Sequence, residues 1–345
     1  MSEAPSQAYV VSMTNLHATA ASLAADGKGI LAADESIKTM SARLAKVGVE
    51  GTETNRRDYR ELLLTTPGLS QWVAGIILCD ETLRQLTADG TPFPQRAAAL
   101  GVQAGIKVDT GTTTLPFSDG ETVTQGLDGL AERLAEYREL GATFAKWRAV
   151  LQPGASDRAF WANAHALARY AALCQDAGIV PIVEPEVLMD GGHPIEACQA
   201  TTAAMLSATF SELDRAGVDP AGVVLKPNMV IAGTAASSQS TPKDVARQTV
   251  AVLRDKVPAQ VPSIAFLSGG QSNERACANL AEINRQASQV GVPWRLTFSF
   301  GRALVDDALR TWAGQPGQVA QAQQALAANC SRASAAAQGR DEGVV

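Results

Sequence analysis

Eight times along this 345-residue chain a short, mostly apolar run is followed by a helical pattern, and most of the runs carry a charged or hydroxyl-bearing residue at or near their carboxyl end. The runs are 29–33, 73–78, 102–108, 144–150, 179–183, 222–226, 263–267 and 295–298. Near-continuous Val, Ile and Leu without polar alternation reads as buried parallel strand. The runs recur roughly every 30 to 45 residues, the spacing of successive βα units. Eight such units favour a closed (β/α)8 TIM barrel, an α/β fold. A doubly wound open sheet is the alternative, but no Gly-x-Gly-x-x-Gly follows the first run. No internal repeat or linker divides the chain. Residues 1–345 are therefore expected to form one domain, with a lead-in over 1–28 and a flexible tail from about 331.

The sequence is 46% hydrophobic and 19% charged, which predicts a sizeable core rather than disorder. Its net charge of −6 argues against nucleic acid or an anionic membrane as partner. A site for an anionic small molecule must then be locally basic. Cys79, Cys174, Cys198, Cys277 and Cys330 are scattered with no Cys-x-x-Cys, as in a protein of the reducing cytoplasm. No run of 18 apolar residues and no signal-peptide pattern is present. The three histidines, His17, His165 and His193, have no ligand spacing, so neither a metal nor another cofactor is expected.

In a barrel of this kind the carboxyl ends of the strands share one face, and chemistry is done there. Here those ends carry Asp34, Lys107 with Asp109, Lys146 with Arg148, Glu184 with Glu186, Lys226, Ser268 and Arg302. Residues two apart on a strand point to the same side. Each group also has a plainer reading. Asp34-Glu35-Ser36 could cap the next helix. Lys107 and Asp109 could form a surface ion pair of little weight. Glu184-Pro185-Glu186 could be a turn. Ser268-Gly269-Gly270, just before a helix beginning at Ser272, offers free backbone N–H groups to a phosphate. Ser299-Phe300-Gly301-Arg302 repeats that design one strand later. The segment 111–120 reads as loop, and a helix is expected over 42–47.

The most telling end is Lys226, followed by Pro227, which stops the strand. An amine held there, half desolvated, can lose its proton and attack a carbonyl. Lys146 nearby would favour the uncharged amine by like-charge repulsion. Glu184, one strand away, could handle the protons of imine formation, and Asp34 or Glu186 those of C–C cleavage. Basic groups at Arg43, Lys107 and Arg148, besides those of the last two strands, suggest a substrate phosphorylated at both ends.

The segments 30–36, 55–60, 105–109, 124–130, 144–148, 182–186, 225–229, 266–272 and 298–304 together resemble the class I fructose-1,6-bisphosphate aldolases, in family order. The resemblance implies a (β/α)8 barrel, usually a homotetramer. It implies reversible, metal-independent cleavage of the bisphosphate to dihydroxyacetone phosphate and glyceraldehyde 3-phosphate, and a possible side activity on sedoheptulose 1,7-bisphosphate. By motif match Lys226 is the Schiff-base lysine and Glu184 its acid/base. Asp34, Lys146 and Glu186 match the other catalytic positions. Ser36, Thr39, Arg43, Lys107, Arg148, Ser268, Gly269, Gly270, Ser299, Gly301 and Arg302 match positions that contact substrate. Three departures concern the phosphate remote from the imine. Ile37-Lys38-Thr39-Met40 replaces Thr-Gly-Ser-Ile, Ala42 stands where Lys is frequent, and Thr110 follows Val108-Asp109 where Lys is common. The family's terminal tyrosine is missing from Asp341-Glu342-Gly343-Val344-Val345, so water or another group is expected to protonate the enamine.

Overall fold

The computed structural model describes residues 7–25 and 27–340, without the side chains of 7–12. Eight parallel strands close a barrel: β1 (Gly29–Ala33), β2 (Val73–Leu78), β3 (Gln103–Lys107), β4 (Phe144–Leu151), β5 (Val180–Val187), β6 (Val224–Leu225), β7 (Ser263–Phe266) and β8 (Arg295–Phe300). They pair in chain order, and β8 returns to β1 through Ile30 opposite Ser299 and Leu31 opposite Phe300. The helices are α1 (Gln7–Ser22), α2 (Ile37–Lys46), α3 (Glu53–Leu64), α4 (Asp80–Arg84), α5 (Phe93–Ala99), α6 (Leu130–Glu139), α7 (Asp157–Asp176), α8 (Ile195–Arg215), α9 (Pro242–Lys256), α10 (Asn273–Val290), α11 (Arg302–Trp312) and α12 (Val319–Ala336). None is long and apolar enough to cross a membrane.

Several starts follow directly from capping chemistry. Ser156, Thr241 and Ser272 each accept a backbone N–H of the first turn, and Thr241 forms a capping box with Asp244. Ser36 does the same for α2, which therefore begins at Ile37, earlier than expected.

Two apolar layers divide the strand side chains by parity. Ile30, Ala32, Ile77, Phe144, Val180, Ile182, Val224 and Ala265 cluster with Leu16, Ala20 and Leu23 of the α1 region. This inner layer floors the barrel. The alternate residues, such as Leu31, Ile76, Ile106, Trp147, Leu225 and Phe266, pack outward in the layer shared with the helices. The lead-in is thus largely helix and seals the amino-terminal end, with His17 Nε2 2.6 Å from Asp219 Oδ2.

Four expectations need correcting. β5 does not end at Val183 but runs through Glu184-Pro185-Glu186, so that segment is strand rather than turn. Beyond Val183 it pairs with β4 alone, which leaves Pro185, lacking an N–H, unopposed on its other side. The lysine strand is shorter than expected, because a 3-10 turn occupies Pro220–Gly222. Segment 111–120 contributes Thr112–Thr114 to an antiparallel hairpin with Thr122–Thr124. Finally α12 reaches Ala336, well into the expected tail. Alanine is the best helix former, and Ala333, Ala335 and Ala336 are buried. The terminal residues 341–345 lie outside the described ones.

The floor depends on missing side chains. A Cβ at Gly105 would stand 2.1 Å from the Phe144 ring, and one at Gly75 would meet Leu23 and Phe144. Gly105→Ala should therefore lower stability by about 1–3 kcal/mol through overpacking. Adding Phe144→Leu should restore part of that loss, as read from urea-unfolding midpoints; unchanged midpoints would show that the ring can move aside.

Candidate active site

The inner parity that supplies the floor continues upward into charge. Above Phe144 come Lys146 and Arg148, above Ile182 come Glu184 and Glu186, above Val224 comes Lys226, and above Ala32 comes Asp34. Lys226 N–H donates to Val183 O at 2.8 Å, one residue past the end of β6, so its side chain is still aimed by the ladder. Lys146 lies opposite Lys107 in register, and Arg148 lies opposite Glu184.

Four of these groups form one buried cluster. Lys146 Nζ is 2.8 Å from Asp34 Oδ2 and 3.3 Å from Glu184 Oε2. Lys226 Nζ is 3.1 Å from Glu184 Oε1. Lys226 and Lys146 are each 4% exposed and Glu184 3%. Two cations and two anions thus balance where neither sign could stand alone. Burial pushes the Asp34 carboxyl up, but Lys146, Lys226 and Lys107 overcome it and hold the pKa at about 2. Glu184 is likewise held below its ordinary range, as Lys146, Lys226 and Arg148 outweigh burial. Lys146 moves the other way: burial works against its charge, and Asp34 and Glu184 raise its pKa. A fixed ammonium therefore sits between two ionised carboxylates, and one carboxylate is shared with a second amine.

Around this cluster the ring divides into two sides. Glu186 pairs with Arg148 Nε, and Thr124 Oγ1 donates to Arg148 O. Lys107 Nζ is 2.7 Å from Asp109 Oδ1, and since Asp109 is buried the pair is not the surface bridge one could expect. Ser36 and Thr39 stand exposed at the start of α2, joined by a hydroxyl hydrogen bond of 3.0 Å. Arg43, two turns further along, reaches back to Glu35 and to Asp306. On the other side, Gly269 and Gly270 both have positive φ, at 57° and 80°, which leaves the turn after β7 open ahead of α10. A Cβ on Gly270 would lie 3.2 Å from Arg302 Nη2, so the arginine heading α11 covers that turn. Ser268 and Ser299 are buried, and the Ser299 hydroxyl has no hydrogen-bond partner among the described residues. Gly301 brings the end of β8 against Ala32 O. The structure thus joins Asp34, Lys146, Glu184 and Lys226 in one cluster and places the other expected residues at or just beyond the carboxyl ends of the strands. Among the described residues no group of three or more His, Cys, Asp or Glu is arranged to hold a metal ion.

Sequence reasoning gave no role to the residues that hold this ring in place. Arg60, 1% exposed, donates to Ala33 O and Glu35 O and so clamps both sides of Asp34. Asn228 accepts from Val187 N–H and donates to Thr202 and Met229, tying the end of β5 to the segment after Lys226. Gln271 donates to Ser268 O and accepts from Asn279, bracing the glycine turn. An arginine just ahead of Leu62-Leu63-Leu64 was the available signal for Arg60.

The family model described as "Fructose-bisphosphate aldolase class-I" matches residues 15–344. The chain is 49% identical over 337 residues to a probable fructose-bisphosphate aldolase class 1 of Xanthomonas axonopodis pv. citri, covering 96% of this chain and 100% of that one. It is 50% identical over 331 residues to the cytosolic fructose-bisphosphate aldolase 6 of Arabidopsis thaliana, covering 95% and 92%. Among solved structures, a fructose-bisphosphate aldolase from Plasmodium falciparum, in a ternary complex with TRAP and a small-molecule inhibitor, superposes with a TM-score of 0.94. That match has 43% identity and covers 99% of this chain and 98% of the other.

The stability that Asp34 contributes is complete above the ordinary carboxylate range and is lost as pH falls through about 2. Lys146→Met removes the shared cation and should destabilise the protein by about 3–5 kcal/mol at pH 7. The deficit should shrink toward pH 5, because a buried carboxylate left without its cation takes up a proton more readily. Urea unfolding at both pH values checks this, and a deficit independent of pH would assign the loss to packing.

Proposed function

The chain belongs to the class I fructose-bisphosphate aldolase family, and we propose that this lyase works through an imine formed on Lys226. The observation that carries the reading is a buried amine sharing Glu184 with a second buried lysine.

The reaction follows from the positions of the groups. Glu184 takes a proton from Lys226, and the amine attacks the ketone carbon of fructose 1,6-bisphosphate. Glu184 then returns a proton to the carbinolamine hydroxyl, which leaves as water. The iminium draws electrons from the neighbouring carbon, so the bond between the third and fourth carbons can break. Asp34, which belongs to the Lys226 cluster through Lys146 and Glu184, takes the proton of the fourth-carbon hydroxyl. Lys146 keeps Asp34 ionised and able to accept, at some cost in basicity. Glyceraldehyde 3-phosphate leaves first. Protonation of the enamine and hydrolysis of the resulting imine free dihydroxyacetone phosphate.

The phosphate nearer the imine would rest on the Ser268-Gly269-Gly270 turn with Ser299, Gly301 and Arg302, where backbone N–H groups and a guanidinium converge. The far phosphate would meet Ser36, Thr39, Arg43, Lys107 and Arg148. A ketose bisphosphate one carbon longer, sedoheptulose 1,7-bisphosphate, presents the same reacting atoms and would be a secondary substrate. We also assign the protein to the cytoplasm as a homotetramer. The naming of plant relatives as cytosolic supports the location, and family resemblance the assembly.

Borohydride added with dihydroxyacetone phosphate, with EDTA present throughout, should reduce the imine to a stable secondary amine that peptide mapping places on Lys226. Absence of the adduct, or its appearance on another lysine, rejects the mechanism. Glu184→Gln should lower kcat by about 10²- to 10⁴-fold, and a variant with near-normal kcat would remove Glu184 from the proton path.

A further inference from the structure

Arg43 enters the proposed far-phosphate site already engaged. Its Nη1 donates to Glu35 and its Nη2 donates to Asp306 Oδ1 at 2.6 Å, so both terminal nitrogens are committed to carboxylates. The two carboxylates are not equivalent. The Glu35 side chain is 15% exposed, and its other oxygen lies 3.6 Å from Arg60, so it is shared between two buried cations. The Asp306 side chain is 43% exposed, and water can hydrate it once it lets go. Asp306 lies on α11, so it reaches Arg43 from a different helix than the arginine's own.

From this geometry we infer that Asp306 competes with the substrate's far phosphate for Arg43, and so sets the Michaelis constant for a bisphosphorylated sugar. The inference rests on the imine reading of Lys226 and on the far-phosphate assignment above. Glu35 keeps the guanidinium in place, while Asp306 occupies the nitrogen that a phosphate oxygen needs. A phosphate dianion must displace that carboxylate before Arg43 can serve it, and apparent affinity falls with the fraction of Arg43 that is free. A ketose carrying only the phosphate near the imine never needs Arg43. Asp306 therefore narrows the enzyme's preference for bisphosphates over monophosphates. Asp306 acts through Arg43 and is a positioning residue, touching neither the reacting atoms nor the sugar.

Steady-state kinetics of the intact enzyme, Asp306→Ala and Asp306→Asn on fructose 1,6-bisphosphate and fructose 1-phosphate, at fixed ionic strength, test this. The KM for the bisphosphate should fall about 3- to 10-fold in Asp306→Ala with kcat unchanged. Both constants for the monophosphate should stay within about 2-fold. Asp306→Asn, which keeps an acceptor without the charge, should fall between and carries the test if the alanine variant folds poorly. A raised KM for the bisphosphate, or equal changes on both substrates, overturns the inference, because Asp306 would then hold Arg43 in its working position. Failure of the underlying reading looks different: the unmodified enzyme would yield no borohydride adduct on Lys226 or turn over neither ketose, and the inference would fall with it.

Discussion

Everything at the mouth of this barrel depends on keeping two lysines and two carboxylates together out of water. The Asp34–Lys146–Glu184–Lys226 chain of contacts is close to neutral as a whole, and no member is neutralised without its neighbours. In a medium of low polarisability that mutual compensation sets where the cluster can lie. Below it the barrel is filled with hydrocarbon, and above it is solvent. The boundary between them is the one level at which an amine can be shielded from water and still meet a sugar.

The geometry that puts the cluster there is the two-residue repeat of a strand. Phe144, Lys146 and Arg148 face one way, as do Ile182, Glu184 and Glu186. This is why so much of the site was legible in the sequence. Apolar residues followed at the same parity by charges tell the reader both where the strand enters the core and where it leaves. Lys226 before Pro227, and glycines 269 and 270 ahead of Ser272, were readable for the same reason: each residue type permits few backbone geometries.

What escaped the reading was supplied by distance in space. Nothing near Arg60 in the sequence says that its guanidinium will bracket Asp34, a contact between α3 and the segment after β1. Nor does the sequence around Asp306 reveal that α11 will deliver a carboxylate to Arg43 on α2. The end of β5 was misjudged because a proline forbids a ladder bond only on a side that has a partner, and partnering is decided by β6. The polar threonines of the hairpin looked like loop because two short β-branched segments gain order only from each other.

The seam of the ring has a consequence for how the molecule is made. The first strand closes against the last, Ile30 beside Ser299, so a ribosome must release everything between them before the cylinder can shut. Until then α1, made well before the last strand, has no completed floor to seal, and its apolar face must wait through synthesis. Newborn chains thus pass through an open-sided stage, and the charges destined for the interior stay hydrated until the final strand arrives.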